Sequence, residues 1–197
     1  MSETWQPGDP QRFREAVERI DDDHRRDPNG RALEHALAVV AWVTTLRPQA
    51  SEALRLAGRA QHIGRWRVPR ETYPRNRTGY LRWRADLQLS HVAEAAGILA
   101  ACGYPQPFID RVGSIMRKER LQDDPETQAL EDALCLVFIE HQLAGFQEQH
   151  GGAKVQRILR RTWVKMSPAG REAALGLSLA GPVRALLARS LAGSGDV

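Results

Sequence analysis

The chain has 197 residues, 42% of them hydrophobic and 26% charged, which suits one domain with a substantial core better than two full domains. A formal net charge of +4 is too modest to imply a general polyanion binder. The longest unbroken apolar run, Ala36 to Val43, is far too short to cross a bilayer, and the opening MSETWQPGDP lacks the basic-then-apolar order of a signal peptide. A soluble cytoplasmic protein with no membrane partner is the expectation.

The periodic segments read as helices, taken in chain order. Asp9-Pro10 is an N-cap followed by proline, and starts a helix carrying Phe13, Val17 and Ile20 that ends in the polar stretch Asp21 to Gly30. A second helix, about Arg31 to Leu46, has an apolar stripe of Leu33, Ala36, Leu37, Val40 and Val43. Pro48 separates it from a third over Ser51 to His62. Pro69 and Pro74 then force a loop, which leads into a helix near Thr78 or Gly79 that runs to Gly103. Pro105 or Pro107 opens the next helix. Asp124-Pro125-Glu126 starts the longest apolar one, Thr127 to Phe146. Helices around Ala153 to Trp163, after Ser167-Pro168, and over Pro182 to Leu191 complete the chain. No run alternates as a strand does, so the fold class is all-α. Cys102 and Cys135 lie in apolar helical patterns and read as packed thiols.

The stretch from Gln61 to Arg84 stands apart. It carries Arg65, Arg67, Arg70, Arg75, Arg77, Arg82 and Arg84, the aromatic residues Trp66, Tyr73, Tyr80 and Trp83, and a single acid, Glu71. Forked guanidinium groups bind carboxylates and phosphates bidentately, so this density invites an oxyanion. Of the six histidines, His24 and His150 sit among polar residues and breakers and read as solvated, and His141 as packing or surface. His35, His62 and His91 fall on or at the ends of apolar helices. Asp132 shares a stripe with Leu136, Ile139 and Leu143, where burial is costly unless the carboxylate is paired, protonated or metal-bound. Glu131 beside it faces Leu134, Cys135 and Phe138. A hydrogen-bonded core histidine, or a carboxylate that merely neutralises arginine, is the plain alternative for each.

The run HALAVVAWVTTLRPQASEALRLAGRAQHIGRWRVP, from His35 to Pro69, resembles the first core helices of HD-domain metal-dependent phosphohydrolases. His62-Ile63-Gly64-Arg65 reads like the metal-binding motif of that superfamily with its aspartate deleted. Ser90 to Glu119 and Leu130 to Val137 resemble the helices that follow. The resemblance implies a single-domain HD-like helical bundle, with a core at about 31–145, an N-terminal helix at 9–26 and C-terminal helices at 152–192 packed on it. It also implies His35, His62 and Asp132 as metal ligands, with His91 as a further one. The missing aspartate normally bridges two ions. What is left suits one divalent transition metal (zinc, iron, manganese or nickel) or a metal-free site. Over nearly its full length the chain also resembles domain-of-unknown-function family four-two-zero-two, through Arg12-Phe13, Asp27-Pro28-Asn29, Ala60 to Arg84, Leu130 to Phe138 and Thr162 to Gly170.

Two functions follow as expectations. The first is an HD-like enzyme, mononuclear metal-dependent or metal-free, acting on a small anionic substrate such as a phosphate ester or nucleotide held by the arginine-rich loop. Arg65, Trp66, Arg67, Arg70, Tyr73, Arg77, Arg82 and Arg84 would bind that substrate, with Lys118, Glu119 and Glu131 as catalytic candidates. The alternative is a degenerate, non-catalytic HD-fold module whose arginine loop grips a nucleotide, RNA or an acidic partner protein. A third, blander reading makes the loop structural, its arginines pairing with acids such as Asp21, Asp22, Asp86 and Glu94 while Trp66, Tyr73 and Trp83 pack.

Overall fold

In a computed structural model, which describes residues 7–192, all regular structure among those residues is helical. The first six residues of the opening segment lie outside them. The helices are α1 (Pro10–Arg25), α2 (Ala32–Leu46), α3 (Glu52–Ala60), α4 (Arg77–Ala101), α5 (Gln106–Arg117), α6 (Pro125–Val137), α7 (Leu143–Gln149), α8 (Gly152–Lys165), α9 (Pro168–Leu175) and α10 (Gly181–Ala192). No helix among the described residues is long and apolar enough to cross a membrane. The chain divides into two compact units, Met1–Leu130 and Glu131–Val197, with the boundary inside α6.

In the first unit, α2 packs on α3, α3 on α5, α4 on α5 and α1 on α3. Ile20, Val39, Val43, Leu54, Leu56, Ile63, Leu99, Ile115 and Met116 form its core. Side-chain caps fix the helix starts. Asp9 accepts from the Gln11 and Arg12 N–H groups, Ser51 from Leu54 and Asn76 from Gly79, each satisfying amides that a helix N-terminus leaves unpaired. The Asn76 cap starts α4 one or two residues before the position expected from sequence. Gly79 is needed there, because a Cβ would lie 2.2 Å from the Pro74 carbonyl oxygen.

In the second unit, α8 packs against α7 and α10 through Val155, Leu159, Val183, Leu186 and Leu187. The long helix expected over Thr127 to Phe146 is interrupted. A π-helical turn, Phe138–Gln142, separates α6 from α7. Its composition carries no proline or glycine to announce the break.

Candidate anion-binding cluster

α3 ends at Ala60, and the chain turns through Gln61 to Gly64 into a short 3-10 turn, Arg65–Arg67. Gly64 makes that reversal in the left-handed region, at φ 65°, and its Cα lies so close to the Glu94 carboxylate that a Cβ would meet both oxygens at 2.6 Å. Three histidines meet at this exit. His62 Nδ1 and His35 Nε2 lie 2.8 Å apart and share one proton, with their rings stacked at 4.8 Å. The His91 ring approaches His62 edge-on at 5.8 Å. His91 Nδ1–H donates to the Ile63 carbonyl at 2.5 Å, which fixes the neutral tautomer and leaves a lone pair on the buried Nε2 with no hydrogen-bond partner.

A fourth ring, His24, belongs to the same surroundings, and here sequence reasoning needs correcting. The solvated histidine expected at position 24 is 1% exposed, and its Nε2–H donates to the Arg59 carbonyl at 2.8 Å. Ala16, Ile20 and His24 recur every fourth residue of α1, the apolar-face spacing that would have found it. His24 and His91 thus satisfy carbonyls at the end of α3 and in the turn beyond it. His150 is half-buried and packs edge-on against Phe146 at 4.3 Å.

Burial keeps His24, His62 and His91 neutral. It lowers His24, takes His91 down to about 4, and holds His62 well below its ordinary value. On His62 the basic groups His35, Arg65, His91 and Lys118 press in the same direction. Lys118 is brought in by two amides. Gln61 donates to the Met116 carbonyl at 3.5 Å and Gln88 to the Arg117 carbonyl at 3.1 Å, so the end of α5 is held against the α3 exit and against α4.

The arginines separate into two groups. Arg67 is ion-paired with both Asp23 and Glu94, its guanidinium over the Trp66 ring at 4.8 Å. Arg70 donates to the Tyr73 and Pro74 carbonyls at 2.9 and 2.8 Å, and Tyr73 donates to Asp86 at 2.8 Å. Arg82 reaches Asp86 only at 3.9 Å, from an exposed position. Arg65 instead lies over the Trp83 ring at 5.0 Å, and Arg84 reaches the Tyr80 hydroxyl at 3.4 Å. Loss of surrounding water, and then the Arg84 charge, lower the pKa of Arg65. Arg77 is exposed at the first turn of α4. Glu119 is tied to Arg117 at 2.6 Å.

The remaining two candidates lie in the second unit. Asp132, 3% exposed, accepts from the Ser167 N–H at 2.9 Å and the Ser167 hydroxyl at 2.5 Å, while Ser167 Oγ caps α9 through the Gly170 N–H at 3.1 Å. Glu131 is equally buried, with Lys165 Nζ at 3.4 Å.

Neutral imidazoles suit a divalent transition metal in kind, and His91 Nε2 is the sort of buried lone pair a metal ligand presents. The arrangement is another matter. Two nitrogens on a tetrahedral zinc stand about 3.3 Å apart, whereas His35 and His62 face each other at hydrogen-bond distance, 2.8 Å. Among the described residues no three His, Cys, Asp or Glu side chains are placed to hold a metal ion.

Residues 14–187 match the protein family described as Domain of unknown function (DUF4202), and the chain belongs to that family. No curated protein matches it significantly, and no solved structure does.

Proposed function

We propose that the protein is an HD-like enzyme acting on a small anionic substrate, a phosphate ester or nucleotide, at the cluster of His62, Arg65 and Lys118. The observation that carries this reading is the surroundings of His62, where burial and then the Arg65 and Lys118 charges disfavour its protonation, beside the His35 ring and the neutral His91 ring. An oxyanion bound among them would relieve that crowding and gain charge-assisted hydrogen bonds. The meeting of His35, His62 and His91, from three separate helical segments, supports the HD-like part of the reading.

In such a reaction Arg65 and Lys118 would neutralise charge developing on the non-bridging oxygens. His62, uncharged at neutral pH and aligned through its Nδ1 by His35, would take the proton of an attacking water. No step here runs through a metal, because His35 and His62 spend their facing nitrogens on each other.

The test is a phosphate-ester and nucleotide panel run on wild type and Arg65→Ala, with metal analysis of the purified protein. Hydrolysis by wild type, with kcat/KM lowered about 100-fold in the variant, is expected. Full activity in the variant, or none across the panel in wild type, would overturn the proposal. The non-catalytic alternative, a module that holds a nucleotide, RNA or an acidic protein through the same arginines, draws on the Arg117–Glu119 pair, which engages an acid that catalysis could have used. RNA affinity falling steeply with salt would favour it.

A further inference from the structure

We infer that the cluster takes a ligand with two anionic groups, a diphosphate or bisphosphate, one group held by Lys118 at the α3 exit and the other by Arg65 and Arg84. This rests on the anion-site reading above and narrows its substrate class.

The inference starts from where the fold spends its carboxylates. Arg59 pairs with Asp21 at 2.6 Å, Arg111 with Glu126 at 2.8 Å and also with Asp124, Arg117 with Glu119, and Arg67 with two acids. Arg65 and Arg84 receive none among the described residues. Their contacts are to an aromatic platform instead. Trp83, 9% exposed, is locked by its Nε1–H bond to the Val68 carbonyl at 2.9 Å, and carries Arg65 on its ring. Tyr80, 43% exposed, lies 5.9 Å from the Trp83 ring and places its hydroxyl by Arg84. Two guanidinium groups are therefore set near each other on a rigid support, with no carboxylate paired to either among the described residues. That costs energy in the free protein and is repaid by an anion shared between them.

The second subsite comes from the same backbone. The Arg65 N–H donates to the His62 carbonyl at 3.2 Å, so these two residues span a single turn. Gln61 and Gln88 hold the Met116 and Arg117 carbonyls, which brings the next residue, Lys118, to the α3 exit, where its charge acts on His62, while Gln88 itself stands one helical turn of α4 from Arg84. The basic groups thus form a run from His62 through Arg65 to Arg84, with Lys118 alongside. One phosphoryl group can engage only part of that run, and two linked groups can engage all of it.

Isothermal titration in chelator-containing buffer, with inorganic phosphate and with non-hydrolysable methylenebisphosphonate, tests this on wild type, Arg84→Gln and Lys118→Met. Wild type should bind the bisphosphonate at least about tenfold more tightly than phosphate. Arg84→Gln, at an exposed position, should weaken the bisphosphonate at least about tenfold more than it weakens phosphate. Lys118→Met should weaken both ligands. Equal affinities in wild type, or parallel losses in Arg84→Gln, would overturn the two-group inference and leave the anion site standing. Failure of wild type to bind either probe would overturn both.

Discussion

Arg65 and Arg67 stand two residues apart in one short turn and have opposite fates. Arg67 reaches the buried Asp23 of α1 and Glu94 of α4, and so ties together three segments of the first unit. Arg65 reaches an aromatic face and another cation. The contrast shows that density of arginine in a sequence says little about use. The acids supplied by neighbouring helices sort the guanidinium groups into struts and the receptors proposed above, and Arg59, Arg67 and Arg111 belong with the struts.

That division can be broken experimentally at several points. The largest effect is expected at a strut. Arg59→Ala leaves the 7%-exposed Asp21 carboxylate with only the exposed Arg25 guanidinium at 4.0 Å and should cost about 3 kcal/mol, read from urea unfolding. A cost under about 0.5 kcal/mol would remove Arg59 from that class. Next comes Gly64→Ala, which puts a Cβ at 2.6–2.7 Å from the Glu94 oxygens and Arg67 Nη1 at a left-handed φ of 65°. It should destabilise by about 1–3 kcal/mol, again by urea titration.

A third experiment uses pH. His24 is held neutral by burial, so the unfolded chain binds its proton more readily, and stability falls as pH drops below the ordinary value of 6.5. Urea midpoints between pH 8 and 5 should slope less steeply with His24→Gln than with wild type, and identical slopes would contradict the assignment. The smallest stability change belongs to the receptor class. Arg65→Ala should shift unfolding by less than about 0.5 kcal/mol while weakening bisphosphonate binding at least about tenfold.

Much of the helical framework was legible in sequence, because caps and breakers act locally. Asp9-Pro10, Ser51 and Ser167-Pro168 start helices as their chemistry dictates. Pro69 and Pro74 keep the arginine stretch out of regular helix until Asn76. The π-helical turn at Phe138–Gln142 was not legible, since a register shift inside an apolar helix depends on what packs against it. At the site, the approach of His35 to His62 follows from their places on α2 and just beyond the end of its partner α3. The sorting of arginines does not, because Asp23 and Glu94 are distant in sequence from Arg67 and only tertiary packing brings them to it. The buried Asp132 carboxylate accepts from Ser167, a partner that no periodicity would reveal.

The carbonyls satisfied by His24 and His91 at the α3 exit have a practical consequence for genetics. Most helix ends borrow such support from water or from a glycine turn, and tolerate exchange at nearby side chains. Here the rings act as pegs under the segment that presents Arg65, so replacing either one unseats a helix terminus as well as altering local chemistry. A dead His91→Ala variant would therefore say nothing about catalysis by itself. Only a replacement that keeps an N–H to the Ile63 carbonyl, such as His91→Asn or His91→Gln, can separate the peg from any chemical duty of the ring.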